Sequence, residues 1–165
     1  MTRRTQPQPV NASELSPSAQ FSAFLSRFPD GIVKMVEQCL PKLRRAIPHS
    51  CEIVYDYSHS VVVSFSASEK GYEAIVAIAV LADKVQLYLD KSLPDPNGLL
   101  EGSGTKVRSV TLKAVSDLDR ADIKALIKAA IKHSGVTSTG TRPALMVIKP
   151  GAKSKKKKPG KTGDA

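Results

Sequence analysis

The sequence predicts an α+β fold of two layers: a single antiparallel sheet of about five strands, with two N-terminal helices and one C-terminal helix on one face. Three observations carry this. Apolar residues recur at helical spacing between residues 18 and 48, alternate with a period of two from Cys51 onward, and return to helical spacing beyond Asp117. The chain has 165 residues, 41% of them hydrophobic, enough for one domain that removes roughly two thirds of its unfolded surface from water.

Residues 1–17, rich in Gln, Pro, Ser and Thr, read as a flexible lead. Phe21, Phe24, Leu25 and Phe28 then fall on one helix face, and Pro29 ends that helix. Asp30 is the expected cap of a second helix, whose stripe of Ile32, Met35, Val36, Cys39, Leu40, Leu43 and Ile47 runs to Pro48. Pro41 is expected to kink or divide it. Cys39 lies on the stripe, as a buried structural thiol does.

Residues 51–57 and 60–66 alternate as two half-buried strands. Residues 74–81 are apolar throughout and rich in Ile and Val, which favours a central strand, and residues 84–90 complete a hairpin with it. A loop rich in Pro, Asn and Gly leads to a fifth strand at 107–113. Ser116 or Asp117 is the expected cap of a last helix, with Ile123, Leu126, Ile127, Ala130 and Ile131 inside and Lys124, Lys128 and Lys132 outside. The domain is thus expected to span residues 18–134. Residues 135–148 read as a linker whose apolar end, 144–148, either adds an edge strand or docks elsewhere.

The net charge of +10 is uneven. From Lys149 onward there are seven lysines and one acid, Asp164, so residues 149–165 read as a disordered tail. Lys155, Lys156, Lys157, Lys158 and Lys161 are its candidate contacts to nucleic acid or another polyanion; the alternative is a solubilising end. No apolar run suits a membrane span or a secretory signal, so a cytoplasmic protein is expected. Cys39 and Cys51 match neither a disulfide framework nor zinc spacing, and His49, His59 and His133 occupy separate contexts without a catalytic signature.

Several segments together resemble the YdhG-like family of bacterial domains of unknown function: Phe21-Ser22-Ala23-Phe24-Leu25 before Pro29, Leu40 to Ile47 before Pro48, Glu52-Ile53, the hairpin at 84–90, and Leu99-Leu100-Glu101-Gly102-Ser103-Gly104-Thr105-Lys106-Val107-Arg108. The resemblance covers roughly residues 18–133, and the segment from Leu99 to Arg108 is its most specific part. It implies a compact domain akin to the frataxin fold, one branch of which is proposed to act as an iron chaperone. Where the family has a Tyr-Gly-x-Pro-like turn after its first-strand acid, this chain has Ile53-Val54-Tyr55-Asp56-Tyr57 after Glu52. The frataxin-like alternative needs clustered carboxylates for iron, and the one cluster, Asp117, Asp119 and Asp122, is explained as cap and first-turn acids of a helix. No cofactor or metal ligand set is therefore assigned.

Arg108 shares its parity with Val110 and Leu112, where an unpaired guanidinium is costly, so a partner is expected in Glu101 or Glu52. Otherwise Glu52, Tyr55, Glu101, Lys106 and Arg108 line a small polar cleft for an anionic ligand, in an enzyme or a sensor. Gly102 to Lys106 lacks phosphate-loop spacing and reads as a tight turn leading into a strand. With Val61, Val63 and Phe65 toward the helices, the open side of the sheet is expected to carry Glu52, Asp56, Ser64, Ser66, Lys84, Gln86, Tyr88 and Asp90. Around an apolar central strip this face suits a homodimer or a partner protein, and Tyr88 suits stacking on a base. The function expected is a non-enzymatic binding or adaptor domain with a weakly polyanion-binding tail.

Overall fold

In the computed structural model, which describes residues 15–48, 50–70, 73–135 and 145–150, the chain opens with α1 (Pro17–Leu25). The Ser16 hydroxyl accepts from the Ala19 N–H at 3.3 Å, and Pro17 sits at a position whose donor would be unpaired in any case. Helix α2 (Asp30–Ala46) starts differently from expectation. Pro29 takes the cap position, its carbonyl accepting from Ile32 and Val33, and Asp30 is the first helical residue, contributing its charge to the first turn. Pro41 leaves α2 undivided. It deprives one carbonyl, at exposed Glu37, of its donor, while buried Val36, Cys39, Leu40 and Leu43 hold the helix down on both sides of it.

Five strands follow the expected order: β1 (Cys51–Asp56), β2 (Val61–Ser66), β3 (Ala74–Val80), β4 (Val85–Asp90) and β5 (Val107–Leu112). A short 3-10 turn (Val115–Asp119) precedes α3 (Ala121–Ser134), and β6 (Leu145–Pro150) completes a six-stranded sheet in the order β5-β4-β3-β2-β1-β6. The sheet is mixed rather than wholly antiparallel, because β6 lies parallel to β1. With a helix between β5 and β6, the return is not confined to a hairpin and the chain can come back in either direction. The strand also reaches Pro150, two residues into the segment assigned to the tail.

The last helix departs from its expected start. The Asp117 carboxylate accepts from the Lys113 and Ala114 N–H groups at 2.7 and 3.2 Å, closing the 3-10 turn, while Arg120 holds the cap position of α3 without a side-chain bond to the helix's free N–H groups. Gly135, at φ 69°, ends α3 in the left-handed conformation.

Register assigns the faces of the sheet. Asp56 pairs with Val61, Val54 with Val63 and Glu52 with Phe65, so these residues share one face. Val76, Ile78 and Val80 extend that face on β3, and Val85, Leu87 and Leu89 on β4. It packs against Val36, Leu43, Ile123 and Leu126 from the helices in one continuous core, which Phe21 and Leu25 of α1 join. Glu52 and Asp56 therefore point toward the helix layer, against the expectation that they lie on the open side. The four-residue connection 57–60 sets this register, and a one-residue slip would invert every side chain of β1.

Candidate binding surface

The five residues expected to share a polar cleft are distributed over the sheet. Glu52 is 4% exposed and faces the helices, where Arg44 of α2 bonds it through Nε at 3.0 and 3.1 Å and through Nη2 at 2.9 Å. Arg108 lies on the same face of β5, but β4, β3 and β2 separate the two, about 19 Å at the usual strand spacing. The partner of Arg108 is neither acid: its Nη1 donates to the Gly102 carbonyl within its own turn. Glu101 is exposed and acts through its backbone, exchanging N–H···O bonds of 2.8 and 2.9 Å with Ser109 along the outer edge of β5.

The segment from Leu99 to Arg108 is thus a folded turn that covers a sheet edge. Asp95 starts it by accepting from the Leu99 and Leu100 N–H groups at 2.8 and 2.9 Å. Gly102, at φ 107°, then adopts backbone geometry that side-chain-bearing residues rarely reach, and the Lys106 carbonyl accepts from the Lys91 N–H at 2.9 Å. This makes it a structural turn, as its spacing suggested.

Tyr55 and Lys106 do meet a common feature, on the face turned away from the helices. Tyr55, Val62, Ser64, Ala77 and Tyr88 lie there in register, because Tyr55 pairs with Val62, Ser64 with Ala77 through β2 and β3, and Ala77 with Tyr88. Together they line a trough of about 780 Å³, flanked by Tyr55 and Tyr57 at one side, with Lys106 and Val107 at the other. The rings of Tyr55 and Tyr57 are stacked, their centroids 6.2 Å apart and their planes at 23°. Burial raises the Tyr55 hydroxyl above its ordinary pKa, with Tyr57 beside it acting in the same direction. Val107 is the exposed large hydrophobic residue among those described, and it lies at this rim. The small side chains of Ser64 and Ala77 form the floor because β2 and β3 sit side by side at the middle of the sheet.

Tyr57 falls in the alternation of residues 51–57 on the same parity as Tyr55 but is not among the expected site residues; it lies one residue beyond β1 and still lines the trough. Sequence reasoning also missed Arg44 as the partner of Glu52; a signal was present, since a basic residue in the last turn of α2 precedes the acid by one short connection.

The acids of the expected cap cluster serve separate partners. Asp117 holds backbone donors, Lys42 Nζ reaches both Asp119 oxygens at 2.7 and 2.8 Å, and Arg120 bonds Asp122 at 2.6 Å. Among the described residues no group of three or more His, Cys, Asp or Glu side chains is placed to hold a metal ion. Asp90 has its pKa lowered by the hydroxyl and backbone N–H of Ser92, with His133, 4.0 Å away, a lesser contributor. Both thiols are buried and unpaired by disulfide, and burial pushes Cys39 up to about 11. His49 and the lysines at 155, 156, 157, 158 and 161 lie outside the described residues. No described helix is long and apolar enough to cross a membrane.

These features define an α+β domain with a helix-covered core and an aromatic-flanked trough on the opposite sheet face. Compared with protein-family models, curated proteins and solved structures, the chain matches none.

Proposed function

We propose that this chain is a non-catalytic, YdhG-like binding domain that receives a single-stranded stretch of nucleic acid along the open face of its sheet, with the lysine-rich tail adding nonspecific attraction to the phosphates. The observation that carries it is the trough itself. Tyr55 and Tyr57 on one flank and Tyr88 across the small-residue floor offer ring faces at a spacing of about three strands, and every base has a face to stack on them. Lys106 adds a cation at the rim. The tail follows β6, which runs beside β1 with Lys149 opposite Tyr55, so the lysines are tethered to the flank that bears the stacked pair. A cytoplasmic location, where nucleic acid is accessible, belongs to the same proposal.

Fluorescence anisotropy with a mixed-sequence single-stranded DNA and an RNA oligonucleotide, at low and physiological salt, tests this. The full chain is expected to bind both. Replacing the five lysines at 155–158 and 161 by Gln should flatten the log–log salt slope by about 3.5, at about 0.7 per phosphate on a single strand. Tyr55→Ala and Tyr88→Ala should each weaken binding roughly 5- to 100-fold with the slope kept, the range of one lost base stack. Binding that survives both tyrosine changes assigns the interaction to the tail alone. No binding by the full chain overturns the proposal, and the trough is then a protein or dimer surface, read out by sedimentation.

A further inference from the structure

A second concave feature lies on the opposite layer, between the C-terminal half of α2, the 3-10 turn and the middle of α3. It is a cleft of about 410 Å³, within the range of small-molecule sites. Its floor is apolar, formed by Leu43, Leu118 and Ile127, with half-buried Ile131 at one end. Its rim is cationic: α2 contributes Lys42 and Arg45, and α3 contributes Lys124 and Lys128. Each helix therefore aims two cations, one turn apart, across the same apolar floor.

One anion is already there. Asp119, at the end of the 3-10 turn, is held by Lys42, and its carboxylate pKa is lowered first by that bond and then by the nearby charges of Lys42, Lys124 and Arg45. Lys42 thus bonds this carboxylate, while Arg45, Lys124 and Lys128 line the same cleft without bonding it. Arg45, Lys124 and Lys128 make no ion pair among the described residues. A solvated lysine row would need neither the second helix's cations nor an accessible apolar floor beneath them.

We infer that this cleft is a binding site for a small amphipathic anion: a phosphate or carboxylate head received by Arg45, Lys124 and Lys128, with an apolar body lying over Leu43, Ile127 and Ile131. The Asp119 carboxylate occupies the margin of the head-group position and competes with the ligand for Lys42. The site is independent of the sheet trough, which faces away from the helix layer.

Calorimetric titration of the full chain with octyl phosphate, and separately with inorganic phosphate, tests it. One equivalent of octyl phosphate is expected to bind, at least about tenfold more tightly than inorganic phosphate, because the octyl chain alone gains from the floor. The double variant Arg45→Gln, Lys128→Gln should weaken binding by about tenfold or more, through the loss of two charge-assisted contacts. Asp119→Asn should tighten it severalfold by freeing Lys42. Lys132→Gln, on α3 but outside the cleft, removes one positive charge nearby and should leave affinity unchanged. Because all these positions are exposed or half-exposed, thermal melts should verify that each variant is folded. The inference is overturned if octyl phosphate does not saturate, if inorganic phosphate binds equally well, if the double variant binds like the parent, or if Lys132→Gln is as damaging as the cleft substitutions.

Discussion

Arg44 closes on Glu52 through both Nε and Nη2, joining the last turn of α2 to the first residues of β1 beneath the helix layer. The pair is asymmetric. The Glu52 side chain is 5% exposed, whereas that of Arg44 is 42% exposed, so the guanidinium can return to water and the carboxylate cannot. Removing the arginine is therefore worse than neutralising the acid.

Arg44→Leu is accordingly expected to cost about 3 kcal/mol, the low end for stranding a buried charge, since the surface edge lets some water in. For a chain of this size that corresponds to a melting temperature lower by roughly 6–12 °C. Glu52→Gln keeps an acceptor for Arg44 and should cost less than half as much. Urea unfolding of the two variants checks the order, and equal losses would show that the pair acts only through packing.

Gly104 and Val107 are equally specific. A Cβ built on Gly104 would stand 2.4 Å from the Val107 carbonyl oxygen, inside contact distance with a backbone atom that cannot swing away. Gly104→Ala must therefore push the start of β5 outward and disturb the Arg108 bond to Gly102, at a cost of about 1–3 kcal/mol. Gly31 provides the contrast: it lies in the first turn of α2 with nothing near its absent Cβ, so Gly31→Ala should stabilise by about 0.5–1 kcal/mol. Chemical denaturation of both alanine variants would contradict this account if they shifted stability in the same direction.

The parts of the fold legible in the sequence are those set by local period. The stripe of α2 and the alternation of β4 each determine a buried face, and the unbroken apolar run of β3 marks a strand flanked on both sides, as β2 and β4 flank it. What could not be read depends on partners distant in sequence. Polarity suggested that Glu52 faces outward; the register of a four-residue turn turns it inward, and only the approach of Arg44 makes that tolerable. Strand β6 carries no hairpin signal because its neighbour lies about ninety residues earlier and runs parallel to it. The candidate site was half legible: Tyr55, Lys106 and Tyr88 meet at one trough, while Glu52, Glu101 and Arg108 belong to the architecture around it. The cations of the α2–α3 cleft were visible singly, but their convergence requires knowing that these helices are neighbours.

Cys39 yields a prediction about alkaline pH. Burial in the α2 stripe raises its thiol to about 11, whereas the unfolded chain ionises it near the ordinary value of 9.0. A group whose folded pKa is raised supports the fold fully below its unfolded pKa, and that support is lost as pH climbs toward the folded value. Stability should therefore fall between pH 9 and 11, and fall less steeply in Cys39→Ala, which removes this titration and leaves the others. In the native state at pH 8 the thiol should resist an aromatic disulfide reagent and react once the chain is unfolded in urea. Rapid labelling of Cys39 in the native protein would refute its placement in the core.

Strand β6 makes the strongest claim on the chain's boundaries, because it places residues beyond the α3 helix within the folded unit. Met146 and Ile148 turn toward the helix-side core beside Glu52 and Val54, and β6 satisfies the outer row of backbone donors and acceptors on β1. A chain ending at Ala144 loses both. Two half-buried side chains contribute about 2–3 kcal/mol together, and the newly bare edge of β1 becomes a template for pairing with another chain. Such a protein is expected to melt lower and to self-associate at concentrations where a chain ending at Gly151, which keeps β6 but lacks the lysine run, stays monodisperse. Circular dichroism melts with light scattering on the two truncations separate the contributions of strand and tail. If the two melted together and scattered alike, β6 would have no part in holding the fold.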